Sequence, residues 1–325
     1  MQHPKIIQYV LIFSVTVVIL MACNSTEPPL PEPPPLRFAY SLWSGYFPAA
    51  IAQEKGFFAA QGVKVETTFS EDAQAQIANL SAGKYDGMAL ALGSMVQVCA
   101  ANRDVRMVIA TDRSDGADAV IAKPAIPRVA ELKGKVIGTT LGDFGELFVN
   151  KMLEANGIAR DQVTLVNVGG EKIPVLLQSG AIQAGHTWEP YVSQAVKAGG
   201  NILFTSKQTP GLIPDVIVFQ GNVLRDRPAD IRAFVRAWFQ AVDYWLAFPE
   251  EGNRIIAKAL KIQPEIISLD GIKLLTLSDN RQAFTPGNTT ESLYYTTQLY
   301  FSFYHQIGNL GGTSEINRFL DPSFL

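Results

Sequence analysis

The chain has 325 residues, which is longer than one typical domain, so two lobes are expected. Charged residues make up 18% of the sequence, the formal net charge is −3, and no long basic or acidic run occurs. These values give no reason to expect a nucleic-acid partner.

The N-terminal segment predicts export. A short region with Lys5 leads into an apolar run over residues 10–21, which is shorter than the ~20 apolar residues of a membrane-spanning helix. Ala22 directly before Cys23 resembles a lipobox, so residues 1–22 are predicted to be a lipoprotein signal peptide and Cys23 the lipidation site. An unmodified cysteine beside a conventional cleavage site is the alternative. A lipid on Cys23 would leave Cys99 without a disulfide partner, and its apolar surroundings predict a core residue.

Residues 23–35 are predicted to form a tether. The segment holds six prolines between residues 28 and 35, a composition that favours extended polyproline II geometry and cannot form a core. One lipid and a stiff spacer would anchor a folded body to the membrane without spanning it. The expected location is therefore outside the cytoplasm, on the membrane surface.

From Leu36 onward the pattern alternates strand and helix. Helices are expected at residues 47–60, 73–82 and 94–101, with Ser94 as a possible N-cap. Apolar runs such as residues 88–92 suit strands covered on both faces, which favours a parallel sheet. The strands between these helices are expected at residues 36–41, 63–69, 87–92 and 105–111.

The same order then recurs. Helices are expected at residues 144–155, 172–179 and 190–198, and one further strand at 216–219 precedes a mostly helical tail. Two α/β lobes follow, one made of residues 36–121 plus 213–325 and the other of residues 122–212, with a link near residues 122–128. The strands of the second lobe are expected at residues 135–140, 163–168, 182–186 and 201–205.

An ordered set of short segments resembles the solute-binding proteins of nitrate/sulfonate/taurine-type ABC importers, a group that includes thiamine-precursor binders. Agreement in order covers roughly residues 36–260. The resemblance implies the type II periplasmic-binding-protein fold, with two Rossmann-like α/β lobes, a two-segment hinge and a ligand cleft between the lobes. It also implies a non-catalytic monomer without cofactors, which captures a small organic solute and delivers it to a membrane permease and its ATPase. The segments are residues 43–46, 52–58, 62–65, 80–86, 132–138, 188–190 and 234–251.

Ligands in this architecture bind between the lobes, where carboxyl ends of strands meet helix N-termini. Six loops are expected there, at residues 41–46, 70–73, 92–94, 139–144, 169–172 and 186–189. The candidate ligand-binding residues on them are Ser41, Trp43, Tyr46, Asp72, Ser94, Thr139, Thr140, Asp143, Phe144, Trp188 and Glu189.

Each candidate has an ordinary structural alternative. Trp43 and Tyr46 can instead pack beneath their loop, and Ser94 can act only as a helix cap. Glu189 can complement the dipole of the helix that follows it. His186 near Glu189 is a weak metal pair, and a hydrogen-bonded histidine at a strand end is the expected outcome, so no metal site is predicted.

The charges on the six loops indicate the class of solute. Glu71, Asp72, Asp143, Glu171 and Glu189 lie on them, whereas Lys172 is their only base. Carboxylates in a desolvated anion site are costly. Together with the aromatic residues, this favours a planar or cationic organic solute over a simple oxyanion.

Two other classes of function are alternatives. An exported receptor domain that senses a solute needs the same cleft as an importer component. A pyrimidine synthase-like enzyme on the same fold relies on histidine and a cysteine-rich motif, which Cys99 and three scattered histidines do not supply. No nucleophile elbow or Ser-His-Asp order stands out, so an enzyme is not expected.

Overall fold

The computed structural model describes residues 33–100, 104–310 and 316–325, and the part from Pro35 to Leu325 forms one compact unit. The predicted signal peptide, the lipidation site Cys23 and most of the proline tether lie outside the described residues. In the described part, no helix combines the length and the apolarity needed to cross a membrane.

Strands occupy the positions that the alternating pattern predicts, with two additions. The additions are β5 and β11, which the sequence analysis did not predict. In chain order the strands are β1 (Leu36–Ser41), β2 (Val65–Ser70), β3 (Gly87–Ala91), β4 (Val105–Ser114), β5 (Asp118–Ala122), β6 (Val136–Thr139), β7 (Thr164–Asn167), β8 (Ala184–Trp188), β9 (Asn201–Thr205), β10 (Pro214–Gln220) and β11 (Ile272–Leu274).

Helices fill the intervals between the strands. The single helix predicted over residues 47–60 is two, because Gly56 adopts a left-handed conformation with φ of 71° and interrupts it. The helices are α1 (Pro48–Glu54), α2 (Phe57–Ala60), α3 (Ala73–Ser81), α4 (Leu92–Ala100), α5 (Phe144–Ala155), α6 (Ile173–Ser179), α7 (Tyr191–Lys197), α8 (Gly221–Asp226), α9 (Pro228–Ala247), α10 (Pro249–Leu260), α11 (Leu277–Ala283) and α12 (Leu293–Gln306).

The strands form two sheets, so the predicted division into two α/β lobes is found. Sheet A has the order β11-β4-β10-β3-β1-β2 and sheet B the order β7-β6-β8-β5-β9. In sheet A, β1 runs parallel to β2 and β3, with Leu36 opposite Val65 and Ser41 opposite Ser70. In sheet B, β6 runs parallel to β7 and β8.

The apolar runs favoured a parallel sheet, and this holds for only part of each sheet. Strand β10 is antiparallel to β3 and β4, and β5 is antiparallel to β8 and β9. Both strands enter their sheet directly from the other lobe, without the helical crossover that brings a chain back in the parallel direction. Each sheet is therefore mixed, and its antiparallel member is the strand that follows a crossing.

The chain crosses between the sheets at residues 115–117 and again between β9 and β10. Because β5 belongs to sheet B, the first crossing lies upstream of the predicted boundary at residue 122. The two crossings are joined by side chains: Ser114 Oγ lies 2.8 Å from Ser206 Oγ, and the Gly116 amide donates to Ser206 Oγ at 2.6 Å. The two connections thus form one hydrogen-bonded joint.

The aromatic residues of the long helix α9 belong to the core. In α9 the residues Ile231, Phe234, Trp238, Val242 and Trp245 are all buried and pack against sheet A, as the helical spacing predicts. Cys99 is buried, as expected. A second core cluster joins α4, α5 and α12 and continues from one lobe into the other. The lobes therefore share apolar packing on one side of the cleft.

Candidate functional site: a cleft between two sheets

A cleft opens where the carboxyl ends of β1 and β6 face each other. Its deeper part, here called the inner chamber, has a cavity volume of about 70 Å³ and lies beside the joint between the lobes. Its wider part, here called the outer cleft, has a volume of about 720 Å³ and opens to solvent. Ser41, Leu42, Thr140 and Trp188 line both, so the two spaces are continuous.

Nine of the eleven candidate residues line this cleft. Asp72 lines the outer cleft and also caps α3, accepting from the Ala75 amide at 2.9 Å. Thr139 and Glu189 line neither space. The inner chamber is lined by Ser41, Trp43, Tyr46, Ser94, Thr140, Asp143, Phe144 and Trp188, among others.

Trp43 and Tyr46 both face the inner chamber and belong to the core. They lie on the loop and short 3-10 turn between β1 and α1, and only 6% and 4% of their surfaces are exposed. The Trp43 indole donates to Asp112 Oδ1 at 3.0 Å, and the Tyr46 hydroxyl donates to Asp215 Oδ1. Both residues therefore pack under their loop, as one alternative had it, and also line the space in which a ligand would bind, as the other had it.

Ser94 and Asp143 connect the two lobes. Asp143 caps α5 by accepting from the Phe144 amide at 2.7 Å, and Ser94 of α4 donates to Asp143 Oδ2 at 2.9 Å. Helix α4 begins at Leu92, so Ser94 lies inside its first turn and the expected N-cap role is wrong. The close approach requires Gly93, because a Cβ there would lie 2.7 Å from Phe144 Cβ.

Trp188 forms the aromatic wall on the side of sheet B. Its ring lies 6.1 Å from Phe144 and 6.3 Å, edge-on, from Tyr191. A Cβ on Gly170 would lie 2.2 Å from the indole, so only glycine allows the backbone to pack this closely against the ring. Trp188 is only partly buried and lines both spaces, which leaves part of the ring accessible to a solute.

The side chains of Glu189 and His186 are held by structural partners. Glu189 precedes α7 and accepts from the Ser193 amide at 3.1 Å and from its hydroxyl at 3.0 Å, which agrees with the alternative that it complements the N-terminus of this helix. His186 Nε2 lies 3.0 Å from Asp118 Oδ1, so the weak His186–Glu189 pair is not formed. No group of three or more potential metal ligands occurs in the part of the chain that the structure describes.

The role of Glu189 gives a first prediction. We expect Glu189→Ala to lower the free energy of unfolding by about 1 kcal/mol, because α7 loses a capping acceptor, and to leave solute affinity within about twofold of the parent. Urea denaturation and equilibrium binding measure the two effects. A loss of affinity without a loss of stability would contradict the capping role.

Sequence reasoning missed the carboxylates at the floor of the cleft. Asp118 is the first residue of β5 and Asp215 the second residue of β10, and both line the inner chamber. Asp112 of β4 lies opposite Asp215 across the antiparallel pair and accepts from Trp43. A partial signal existed: Asp118 and Asp215 each adjoin an apolar run, at residues 119–122 and 216–219, but these runs do not show where the chain crosses between the sheets.

These carboxylates are buried, and in the described part of the chain none of them forms an ion pair with a lysine or arginine, while Asp118 pairs with His186. Asp112, Asp118 and Asp215 are exposed by only 0%, 2% and 4%. Burial raises the pKa of Asp112 to about 7, although hydrogen bonds from Thr111 and Trp43 act in the opposite direction. Burial, followed by the charge of Asp112, holds the pKa of Asp215 well above its ordinary value. Burial therefore favours the protonated form of both carboxyl groups relative to an exposed aspartate.

Asp143, which caps α5 in the other lobe, is likewise a buried acid in the lining of the inner chamber. Burial raises the pKa of its carboxyl group, and the hydrogen bonds from the Phe144 amide and Ser94 offset part of that effect. Tyr304 of α12 also contacts this group at 3.5 Å. Among the described residues that line the inner chamber there is no lysine or arginine.

The outer cleft is also acidic. Glu71, Asp72 and Glu171 line it, and Lys172 is the only base among its described lining residues. Lys172 Nζ lies 4.0 Å from Glu171, so the single positive charge is partly compensated. The distribution of charge predicted from the loops is therefore retained, and the inner chamber adds to it.

Comparison with known proteins places this chain in a family. The family model described as NMT1/THI5 like matches residues 43–252, which is more than half of the chain. A Brucella abortus (strain 2308) protein named as a binding protein is 25% identical over 237 residues, covering 70% of this chain and 72% of the relative. A Bacillus subtilis (strain 168) protein named for binding aliphatic sulfonates is 24% identical over 247 residues, covering 70% and 74%.

Solved structures share the fold. The periplasmic aliphatic sulphonate binding protein of Escherichia coli superposes with a TM-score of 0.73 at 16% identity, covering 89% of this chain and 92% of that one. The periplasmic nitrate-binding protein of Synechocystis PCC 6803 has a TM-score of 0.71 at 15% identity, covering 89% and 86%. A desulfurization enzyme has a TM-score of 0.64 at 15% identity, covering 89% and 97%.

The fold is therefore that of the periplasmic binding proteins, with two mixed α/β lobes and a cleft between them. The chain belongs to the NMT1/THI5-like family. Both expectations that the resemblance carried, the fold and the family, are confirmed.

Proposed function

We propose that this protein is the substrate-binding component of an ABC importer, which captures a small organic solute between its lobes and delivers it to a membrane permease and its ATPase. The observation that carries the proposal is the cleft itself. An outer region of about 720 Å³ lies in the size range of small-molecule sites, and residues of both lobes line it. Family membership supports the same role.

The lining supports a planar or cationic organic solute rather than a simple oxyanion. Trp43, Phe144 and Trp188 offer aromatic faces to the cleft. An oxyanion entering the inner chamber would meet Asp118, Asp143 and Asp215 without a basic residue to balance its charge. The relatives named for sulfonate or nitrate binding thus share the fold, while the charge of this site supports a different solute.

Lipid anchoring completes the proposal. Attachment through Cys23 at the outer face of the membrane, with residues 23–35 as spacer, would hold the cleft near the permease. Solute sensing through a different membrane partner is the second candidate, because a two-lobed cleft serves both roles. Genes for a permease and an ATPase next to this gene would favour import.

An enzyme on this fold is the less favoured alternative. A desulfurization enzyme has the same fold, so the fold alone does not decide the question. The described lining of the inner chamber contains no cysteine, lysine or histidine, and the nearby His186 is paired with Asp118. This composition offers carboxyl and hydroxyl groups and aromatic faces, which suit binding.

A thermal-shift screen of the purified protein against a solute library tests the proposal. A ligand that binds only the folded state stabilises it by about 2.7 kcal/mol at a hundredfold excess over Kd. We expect a binding solute to raise Tm by several degrees. If no amine, heterocycle, sulfonate or nitrate shifts Tm, the binding function is wrong.

Trp188 provides the matched variant. We expect Trp188→Ala to remove the thermal shift while the Tm of the unliganded protein stays nearly unchanged, because this ring is only partly buried and faces the solute. Phe248→Ala is the control, since this aromatic residue is 54% exposed and lies in neither part of the cleft. A shift that survives in Trp188→Ala would place the solute elsewhere.

A further inference from the structure

The inner chamber has a feature that the general binding role does not explain, and the inference drawn from it rests on the proposed function. Asp118 and Asp215 stand on the first strands after the two crossings, so one carboxylate comes from each sheet. Each uses one oxygen structurally, Asp118 with His186 and Asp215 with Tyr46. Both side chains line the chamber. A group placed at this floor would contact both lobes.

The surroundings of the floor offer little to balance the negative charge that its acids carry when they are ionised. From the other elements around it, Asp143, Asp112 and the neutral hydroxyl of Tyr46 face this region. Among the described residues around the floor, His186 is a group that can become cationic; it pairs with Asp118 and also acts on Asp143. The described lining contains neither lysine nor arginine. A ligand that supplies a positive charge would therefore remove the repulsion among these acids.

The size of the chamber limits what can enter it. A cavity that takes up benzene in an engineered protein measures about 150 Å³, whereas this chamber measures about 70 Å³. The chamber accordingly has room for a head group of a few heavy atoms. The outer cleft, about 720 Å³, has room for the remainder of the solute beside Trp188 and Tyr191.

We propose that the inner chamber is a cation subsite, which takes a primary ammonium or an amidinium head group with Asp118 and Asp215 as its counter-ions. The N–H groups of such a head group donate to the carboxylate oxygens that the structural partners leave free. The body of the solute, a flat apolar scaffold, packs on Trp188. Because the two acids belong to different sheets, the head group also connects the lobes.

Matched probes test the subsite. Benzylammonium and benzamidinium present the cation, benzyl alcohol and benzamide are their neutral counterparts, benzenesulfonate carries the opposite charge, and benzyltrimethylammonium is cationic without N–H donors. Binding to the purified protein is followed by tryptophan fluorescence at constant ionic strength. We expect each cation with N–H groups to bind roughly 10- to 100-fold more tightly than its neutral counterpart. The sulfonate and the quaternary ammonium are expected to bind no better than the neutral probes.

Substitutions at Asp118 and Asp215 test whether these two acids cause the preference for cations. Asp118→Asn and Asp215→Asn are expected to weaken benzylammonium binding about tenfold or more and to leave benzyl alcohol binding unchanged. Asp243→Asn, an exposed substitution that changes the net charge equally, is the control and should leave both affinities unchanged. Circular dichroism confirms folding, and Asp118→Glu retains the charge if the amide variant fails to fold.

The outcomes separate this inference from the proposed function. Binding of benzyl alcohol, benzamide or benzenesulfonate as tight as that of the cations, or of the quaternary probe as tight as benzylammonium, overturns the cation subsite and leaves the binding function intact. Absence of binding by both N–H cations also overturns it, whatever the solute library shows. A general charge effect would instead appear as equal losses in Asp118→Asn and Asp243→Asn.

Discussion

Replacing Trp43 by alanine is expected to lower the free energy of unfolding by about 3–5 kcal/mol. The indole is 6% exposed and packs in the core cluster around sheet A, and its loss leaves a cavity beside the inner chamber. It also removes the donor to Asp112, so that this buried acid keeps only the bond from Thr111. Urea denaturation of the unliganded protein measures the loss.

Trp43→Phe separates packing from hydrogen bonding. The phenyl ring retains most of the apolar volume and lacks the indole N–H, so we expect a smaller loss of about 1–3 kcal/mol. The pKa of Asp112 should rise further, because the Trp43 hydrogen bond lowers it. Trp188→Ala is the comparison within the same cleft, with an expected loss of about 1 kcal/mol. Equal stability losses in Trp43→Ala and Trp188→Ala would show that Trp43 is not a core residue.

The stability of the unliganded protein is expected to fall as pH rises from about 5 to about 8. The pKa of Asp112 is about 7 in the folded protein, against an ordinary value of 3.8, so the folded state binds a proton that the unfolded chain releases. The contribution of Asp112 to the free energy of unfolding is therefore fully present below about pH 4 and is lost as pH rises through about 7. With about 1.4 kcal/mol for a pKa difference of one, this group alone accounts for a change on the order of 4 kcal/mol.

Asp215 extends the fall above neutral pH, because its pKa is also raised well above the ordinary value. We expect Asp215→Asn to flatten the dependence, since the amide oxygen still accepts from Tyr46 while the charge beside Asp112 disappears. Urea denaturation at several pH values compares this variant with the parent and with Asp243→Asn. A parent protein whose stability rises over the same interval, or identical slopes in all three proteins, would contradict the assignment.

Binding of a cation at the subsite is expected to depend on the protonation of these carboxyl groups. If a positive head group takes the place of a proton on Asp215, whose pKa is raised, the affinity for benzylammonium should increase by up to about tenfold for each unit by which pH rises, until Asp215 is ionised in the free protein. Isothermal titration in two buffers with different ionisation enthalpies would show the released proton as a difference in apparent heat. The affinity of benzyl alcohol is expected to change little over this range.

Much of the fold could be predicted from local patterns. Strands β1 and β9 and helix α5 have the bounds that the apolar patterns and caps indicate. Strand β5 was missed because its five residues follow directly on the crossing, in a stretch assigned to the end of the first lobe. Strand direction could not be predicted, because a buried strand has the same apolar pattern in a parallel and in an antiparallel pair.

The site residues also differ in whether local sequence pattern or tertiary structure determines their place. Trp43, Tyr46, Asp143 and Trp188 line the cleft as predicted from the sequence, because each lies at or shortly after the carboxyl end of a strand, a position that sequence spacing reveals. Asp118 and Asp215 were missed because their place depends on where the chain crosses between the sheets, and no local pattern marks that point.

The sequence by itself therefore determined two α/β lobes, the loops that form the cleft and the family to which the chain belongs, since these depend on residues that are near one another along the chain. Only the tertiary structure decided that Trp43 is a core residue, that Glu189 accepts hydrogen bonds from Ser193 and that two distant aspartates line the same chamber. Burial and charge at that floor arise from residues about a hundred positions apart, and the packing of the two crossings brings them together.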